Sequence, residues 1–368
     1  MSKKVVTLLK MILVSIGLIA IVTIADRKNS NDVGAEYETD NTEHYFAMGT
    51  TISVSVYTGR GSVDDTAIRE RIVEEIENLD QKLLSWRNAE SELGRVNNNT
   101  DRRNRISTEL YVALKQSLDI CEDSEGALDI TIRPLATLWN IEGESDKEFA
   151  PPTNQEIEDA LKKVDYKNVE LISEQYGETS NSTEADYYVY KNSDDIIIDL
   201  GATGKGYALD KAKSVLDEEH VSGALITVGG SVLLYGKKDD GDSWKIGVRD
   251  PLKPNDTGAM IGYLEFEPGT ITCVSTSGGY EKYKSYEGKE YHHILDSKTG
   301  YPADSGLLSV TVVCENGLVS DGLSTACFVL GYEKSLPLLK KYDAQAIFMD
   351  LNGDIIVTEE LKDNWVEK

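Results

Sequence analysis

The sequence predicts an α+β protein in which mixed or antiparallel sheets pack against helices. Runs with alternating apolar residues, such as 51–57 and 308–313, are interspersed with runs of helical periodicity in no regular alternation. Asn352-Gly353, between two apolar runs near the C-terminus, is typical of a β-hairpin turn. With 368 residues, of which 40% are apolar, the chain is long enough for one large domain or two ordinary ones.

The amino-terminal half is predicted to contain both strands and helices. The helices repeat apolar residues every three or four positions, and the first strand alternates apolar and polar residues. The predicted elements are a strand at 51–57, helices at 67–84, 110–121 and 154–164, and a short strand near Val169. The asparagine-rich segment after Trp86 and the polar segment 175–185 are predicted to be loops.

The second half begins with a predicted strand–helix–strand unit, whose first strand leads into a glycine-rich turn. Its elements are a strand at 196–200, a helix at 207–219 and a strand at 224–228. Further strands are predicted at 244–248, 262–267, 270–275, 291–295, 308–313, 346–349 and 355–358, and a helix at 318–330. Gly331 is the expected C-terminal stop of that helix.

The net charge of the chain is −26, from 64 acidic and 38 basic residues. Nucleic-acid backbones are bound by clustered lysine and arginine, so this charge argues against nucleic acid as a partner. An anionic ligand would have to be captured by local groups, with or without the help of a metal ion.

Residues 1–25 are predicted to be a signal peptide or an N-terminal membrane anchor. Lys3, Lys4 and Lys10 precede an uncharged, mostly apolar run at 11–25. The position of these charges predicts that the body of the protein lies outside the cytoplasm, either anchored to the membrane or secreted. Residues 26–43 are predicted to be a polar linker, and residues 44–368 the folded domain.

The cysteines are not arranged for metal binding or for disulfide formation. Cys121, Cys273, Cys314 and Cys327 form no CxxC pair, and three of them lie in apolar surroundings. We expect buried free thiols without a chemical role.

The segment DLGATGKGYALD at 199–210 is the first candidate for a ligand site. It places three glycines and Lys205 where a predicted strand passes into a helix. Glycine allows close backbone approach, and a helix N-terminus favours an anion, so a phosphate-bearing ligand is expected. The segment matches neither the Walker A motif nor GxGxxG, and a strand-to-helix turn without a ligand is the alternative.

Two further groups of residues could contribute chemistry. His292 and His293 lie in the predicted strand 291–295, next to a turn, and one of the two is expected to be functional. Asp321 and Thr325 are four residues apart on a predicted helix, so a carboxylate and a hydroxyl could bind one hard cation such as Mg²⁺. On spacing alone, an aspartate that merely complements the helix dipole explains Asp321 better.

Taken together, the motifs of the chain resemble the ApbE family of FAD:protein FMN transferases over roughly residues 44–360. Nine segments match in the family's order, which makes the resemblance far more specific than any one of them. They are FAMGT (46–50), SEL (91–93) with Asn97, DITIRPL (129–135) with Trp139, DLGATGKGYALD (199–210), VGG (228–230), WKIGVRDP (244–251), TSGG (276–279), HILD (293–296) with TG (299–300), and SDGLSTA (320–326).

The resemblance implies a T-fold-related, ApbE-like flavin transferase domain at 44–368. Its implied activity is the Mg²⁺-dependent transfer of FMN from FAD to a threonine hydroxyl of a target flavoprotein, an extracytoplasmic redox protein, with release of AMP. The implied FAD-binding residues are Met48, Trp86, Ala127, Leu128, Asp129, Asp199, Lys205 and His293. The implied metal ligands are the carbonyl of Ala202 and the side chains of Asp321, Ser324 and Thr325, and His293 is the implied catalytic base.

The chain departs from the family pattern at three motif positions, and it lacks the lipid-attachment cysteine that many relatives carry, which favours a peptide anchor. Thr203 and Gly204 replace the common isoleucine and alanine of the glycine-rich loop, and Ser297 replaces a proline. Hydrolysis of FAD to FMN and AMP, and flavin binding without chemistry, are the alternative functions for the same residues. The joint presence of Asp321, Thr325 and His293 favours an enzyme, since a carrier needs neither a base nor a metal.

Overall fold

The computed structural model describes residues 42–59, 65–143, 148–175 and 185–368. The strands in these ranges are β1 Thr42–Ala47, β2 Thr50–Tyr57, β3 Arg103–Ile106, β4 Val169–Gln175, β5 Ala185–Lys191, β6 Gly223–Val228, β7 Ser231–Gly236, β8 Trp244–Arg249, β9 Met260–Phe266, β10 Thr272–Gly278, β11 Tyr283–Tyr286, β12 Lys289–His292, β13 Leu307–Cys314, β14 Gln345–Asp350, β15 Ile355–Val357 and β16 Trp365–Glu367. The helices are α1 Asp65–Asn78, α2 Glu92–Asn98, α3 Thr108–Asp123, α4 Arg133–Trp139, α5 Asn154–Leu161, α6 Gly204–Glu218, α7 Gly317–Leu330 and α8 Tyr332–Lys341. A π-helical turn, Leu79–Leu84, continues α1, and 3-10 turns lie at Tyr166–Asn168 and Glu359–Asn364.

The centre of the fold is an eight-stranded sheet in the order β1-β2-β6-β7-β10-β13-β14-β15, in which every pairing is antiparallel. Its inner strands β6, β7, β10, β13 and β14 are mostly buried on both faces, so successive residues along them enter different cores. Leu233 and Val312 face a large core with α1, α6 and α7, whereas Leu234 and Val313 face the smaller sheet β16-β9-β8. The antiparallel α+β class predicted from the sequence is thus confirmed.

Helices α6 and α7 approach each other very closely, and this contact positions the candidate site. A Cβ atom added to Gly206 would lie 1.9 Å from the carbonyl oxygen of Gly317, so only glycine fits between the two backbones. Asp210, one turn further along α6, accepts hydrogen bonds from the N–H groups of Gly317 and Leu318 at 2.6 and 2.9 Å. These bonds satisfy two donors at the N-terminus of α7 and fix its register against α6.

The predicted strand at 196–200 is wrong, because this segment is extended but pairs with no strand of the described chain. The side chain of Asn97 replaces the missing strand partner. Its amide donates to the carbonyl of Ile198 and its carbonyl accepts from the N–H of Ile198, both at 2.8 Å. Ile196, Ile198 and Leu200 are buried, so the alternating pattern reflects burial without sheet pairing. The predicted strand–helix–strand unit therefore lacks its first strand.

The other predictions of secondary structure differ mainly at element ends. The strand predicted at 291–295 ends at His292, so His293 lies just outside β12. The loop predicted after Trp86 contains α2 and β3. The strands β1, β5, β7, β11 and β16 and the helices α4 and α8 were not predicted. All four cysteines are buried and unpaired, as predicted.

The predicted N-terminal segment at 1–25 and most of the linker lie outside the described residues. Strand β1 begins at Thr42, two residues before the predicted start of the domain at residue 44. None of the described helices is both long and apolar enough to span a bilayer.

Candidate active site

The glycine-rich loop before α6 is shaped by its own aspartate. One carboxylate oxygen of Asp199 accepts from the N–H of Gly201 at 2.8 Å, and the other lies 3.3 Å from the Arg133 guanidinium. The backbone N–H of Asp199 donates to the carbonyl of Ile130 at 2.7 Å. Asp199 therefore anchors the loop to the segment 129–133 and holds the Arg133 side chain next to the loop.

The N-terminus of α6 does bind an anion, but that anion belongs to the protein. The N–H of Gly206 donates at 3.0 Å to Oδ2 of Asp321, which α7 places against it. The hydroxyl of Ser231 donates at 3.1 Å to Oδ1 of the same carboxylate. Asp321 is 3% exposed, so this carboxylate is almost fully removed from water.

Lys205 supplies a positive charge beside this buried carboxylate. Its Nζ lies 3.4 Å from Oδ1 of Asp321 and 3.4 Å from the carbonyl oxygen of Gly201. Burial alone would lower the pKa of Lys205, but the carboxylates of Asp321 and Glu281 outweigh it and raise that pKa. Lys205 is therefore protonated at neutral pH.

A group of hydroxyls continues from Asp321 along α7. The Ser277 hydroxyl lies 2.7 Å from that of Ser324 and 3.2 Å from that of Thr325, and Ser324 also donates to the carbonyl of Asp321 at 2.8 Å. Ala202 is half-buried in the glycine-rich loop. Carboxylate, hydroxyl and carbonyl oxygens are the donors that Mg²⁺ prefers, so the residue types fit a hard cation. Among the described residues, no cluster of three or more His, Cys, Asp or Glu side chains could hold a metal ion.

Trp86 lies between two arginines. The guanidinium carbon of Arg133 is 3.8 Å from the centre of the indole ring and that of Arg87 is 4.3 Å from it. Arg133 is also paired with Asp199, so the indole is held close to the glycine-rich loop. The exposed Arg87 lies near enough to Glu142 for its charge to lower the pKa of that carboxyl.

His293 is held as a neutral imidazole. Its Nδ1 lies 3.2 Å from the carbonyl oxygen of Lys282, which can only accept a hydrogen bond. Nδ1 therefore carries the proton, and Nε2 has the free lone pair of a base. Burial is the main reason why the pKa of His293 is lowered to about 4; the Glu142 carboxylate opposes the shift and the Lys282 ammonium adds to it. The neighbouring His292 has a structural role, since its Nε2 lies 3.1 Å from the carbonyl oxygen of Ala303 and its ring packs edge-on to Phe328.

An ion pair between Glu142 and Lys282 lies beside His293. The two side chains are 2.6 Å apart, and although burial opposes ionisation, the ammonium lowers the pKa of Glu142 to about 2. The residue before Lys282 is Glu281, which interacts electrostatically with Lys205. Burial raises the pKa of Glu281, and the charge of Lys205 partly offsets this effect. Glu281 thereby connects the His293 side of the site with the Asp321 side.

These contacts form a cluster of charged and aromatic groups near the start of α6, the site cluster. Sequence-distant residues meet in it, and acidic and basic members are balanced although the whole chain is strongly acidic. The members of the site cluster are Asp199, Arg133, Trp86, Arg87, Glu142, Lys282, His293, Glu281, Lys205 and Asp321. The structure thus brings together Trp86, Asp199, Lys205, His293 and Asp321, which were predicted as site residues from the sequence.

The remaining predicted residues are buried or make local contacts of their own. The Met48 backbone has a φ of +53°, its N–H donates to Asp80 at 3.0 Å, and its Cε lies 3.3 Å from a Cβ placed on Gly204. Asp129 is buried, and its carboxylate accepts from Thr131 and from the N–H of Tyr166. Asp129 thus shapes the turn after α3 through internal bonds. Ala127 and Leu128 are also buried.

Several residues of the site were not singled out from the sequence. Arg133 and Ser277 stand inside quoted family segments, DITIRPL and TSGG, and this was the available signal for them. Ser231 follows the VGG segment directly. Arg87, Glu142 and Glu281 lie outside these segments, and only the folded chain brings their charges to the site.

Comparison with known proteins agrees with this architecture. A model of the ApbE family matches residues 48–348 of the chain. The FAD:protein FMN transferase of Treponema pallidum (strain Nichols) is 31% identical over 316 residues, covering 82% of this chain and 83% of that protein. The protein of the same name from Haemophilus influenzae is 30% identical over 315 residues, covering 83% of this chain and 85% of that protein.

Solved structures show the same fold. The crystal structure of the ApbE protein from Thermotoga maritima matches with a TM-score of 0.74 and 31% identity, covering 89% of this chain and 99% of that chain. The flavin transferase ApbE from Vibrio cholerae matches with a TM-score of 0.71 over 88% of this chain and 98% of that chain, and its 22% identity supports the fold alone. The chain belongs to the ApbE family.

Proposed function

We propose that this protein transfers FMN from FAD to a threonine hydroxyl of an acceptor protein and releases AMP. The observation that carries the proposal is that the Glu142 carboxylate acts electrostatically on both the neutral His293 and the protonated Lys205, whose ammonium lies 3.4 Å from the buried Asp321. Such an arrangement would offer a base and a cation to one reacting phosphate. Relatives named FAD:protein FMN transferase support the same reaction.

The proposed step is attack of the threonine oxygen on the FMN phosphorus of FAD. The new bond is a phosphoester between FMN and threonine; the bond that breaks joins this phosphorus to the oxygen that AMP carries away. Nε2 of His293, which has the free lone pair, accepts the hydroxyl proton. Lys205 neutralises charge on the phosphate oxygens, and the Arg133 guanidinium holds Trp86 beside the loop.

We propose that Mg²⁺ is held by Asp321, Ser324 and Thr325 together with the carbonyl of Ala202. When bound there, it would neutralise negative charge on the pyrophosphate. The chain's own part is to hold and orient the Asp321 carboxylate, through hydrogen bonds from the Gly206 N–H and the Ser231 hydroxyl. Ser277 orients the hydroxyls of Ser324 and Thr325 from β10.

We further propose that the acceptor is an extracytoplasmic redox flavoprotein. Residues 1–25, as a membrane anchor or a cleaved signal, would direct the enzyme to the same side of the membrane as this acceptor. The lysines and apolar run of that segment support this location. Fractionation of cells should recover the protein outside the cytoplasm, on the membrane or in the medium. Recovery in the cytoplasm with an intact N-terminus would contradict it.

The transfer is tested by incubating the enzyme with FAD, Mg²⁺ and a threonine-bearing flavoprotein fragment, followed by intact-mass spectrometry. The fragment should gain one FMN group, and its threonine-to-valine variant should gain none. His293→Asn should abolish the gain, whereas the matched control His44→Asn, an exposed histidine on β1, should retain it. Free FMN with an unmodified fragment would identify a hydrolase, and FAD binding without AMP would identify a carrier.

A further inference from the structure

The ammonium of Lys205 lies beside groups that would border a metal ion in the proposed site. It lies 3.4 Å from Oδ1 of Asp321 and 3.4 Å from the carbonyl oxygen of Gly201, the residue before Ala202. Asp321 and the carbonyl edge of this loop are the two sides of the proposed Mg²⁺ site. A divalent cation bound between them would meet the charge of Lys205 at contact distance.

Asp321 needs a cation whenever it is ionised. Its side chain is 4% exposed, and its two hydrogen-bond donors, Gly206 N–H and the Ser231 hydroxyl, are both neutral. Within the described part of the chain, Lys205 is the residue that forms an ion pair with it. A buried carboxylate without a counter-charge is strongly unfavourable, so Lys205 stabilises the metal-free site.

The position of Lys205 on its helix means that it can be drawn away by an anion. It is the second residue of α6, where the helix dipole disfavours a cation. Its side chain is 29% exposed, so it has room to move toward a bound pyrophosphate.

We propose that Lys205 is an exchangeable counter-cation: it neutralises Asp321 in the metal-free enzyme and moves to the pyrophosphate when a divalent cation takes its place. This inference rests on the metal assignment of the proposed function. This exchange makes Mg²⁺ binding and pyrophosphate binding mutually favourable. The pyrophosphate draws the Lys205 charge away from the metal site, and Mg²⁺ releases Lys205 from Asp321. Mg²⁺ alone should accordingly bind weakly to the wild-type protein.

The test is titration calorimetry of Mg²⁺ alone into the full chain, without FAD. Lys205→Met removes the charge and should bind Mg²⁺ at least about tenfold more tightly, the factor expected for removing a like charge at this range. Lys211→Met is the matched control, because Lys211 lies on the same helix, is 28% exposed and is paired with Glu109. This control should bind Mg²⁺ as the wild type does.

Two further variants keep the test decisive if Lys205→Met folds poorly. Lys205→Gln is also neutral and should show the tighter binding, whereas Lys205→Arg keeps the charge and should retain weak binding. In thermal unfolding with EDTA, the neutral variants should melt below the wild type, and Mg²⁺ should raise their midpoint by more.

Equal or weaker Mg²⁺ affinity in both neutral variants would overturn the inference, as would an absence of Mg²⁺ binding to all the proteins. Neither result depends on catalysis. Tighter binding in the neutral variants, together with a wild-type enzyme that modifies no threonine, would instead overturn the proposed transfer and leave the counter-cation standing.

Discussion

Replacing Gly206 with alanine tests the contact that places Asp321 at the start of α6. The added methyl would lie 1.9 Å from the carbonyl oxygen of Gly317 and 2.7 Å from Cβ of Asp321. Ordinary contact begins at 3.4 Å, so the two backbones must separate by about 1.5 Å, the difference between 3.4 and 1.9 Å. Overpacking between two backbones cannot be relieved by a side-chain rotation, and we expect the free energy of unfolding to fall by about 3 kcal/mol or more.

The measurement is urea unfolding followed by circular dichroism, together with the FMN-transfer assay. Gly258→Ala is the matched control, since its methyl would meet only a side-chain oxygen of Asp256 at 3.5 Å. This control should stay within about 0.5 kcal/mol of the wild type and keep full transfer. A Gly206→Ala protein that loses less than about 1 kcal/mol and transfers FMN normally would refute the close packing of α6 on α7.

Two further predictions concern His293 and Asn97. Because the pKa of His293 is about 4, kcat/KM should be flat from neutral pH down to about 5 and fall only near pH 4, whereas a fall near 6.5 would contradict the neutral imidazole. Between the lowered pKa of His293 and the ordinary histidine value of about 6.5, the unfolded chain binds more protons than the folded chain. As the pH falls through that window, urea titrations should therefore show the wild type losing stability relative to His293→Asn. Asn97→Ala removes both hydrogen bonds to Ile198 and should lower the free energy of unfolding by about 1–3 kcal/mol in the same titration. Asn98→Ala is the control and should not show this loss, because the exposed amide of Asn98 bonds only within its own helix.

The sequence indicated the fold class and most elements, because apolar periodicity records burial. The segment 196–200 shows the limit of that signal. Its apolar residues alternate and are buried as in a strand, but the hydrogen-bond partner of Ile198 is a side chain a hundred positions earlier. Periodicity reports which residues face the core and does not report what the backbone bonds to.

The site shows a similar division between what local pattern reveals and what only tertiary structure provides. Lys205 and Asp321 were each identified within motifs, yet their 3.4 Å contact depends on two helices meeting at glycines far apart in the chain. The lowered pKa of His293 follows from burial and from Glu142 and Lys282, which no local pattern connects to it. The expectation that the N-terminus of α6 is open to a ligand phosphate was also incomplete, because the N–H of Gly206 already binds Asp321.

The balance of charge in the site has a consequence for substrate binding. A chain with a net charge of −26 repels an anionic dinucleotide at long range. Close to the glycine-rich loop, Lys205, Arg133, Arg87 and Lys282 offset the local carboxylates. Since screening by salt weakens the long-range repulsion first, the KM for FAD should fall as ionic strength rises from about 0.01 to 0.1 M.

The most direct measurement is the ratio of AMP released to FMN covalently attached, determined in one reaction with FAD, Mg²⁺ and the threonine-bearing fragment. Attack by threonine on the FMN phosphorus predicts one AMP for each FMN on the fragment, with little free FMN. Release of AMP together with free FMN, while the fragment keeps its original mass, would contradict the transfer and show that water is the acceptor.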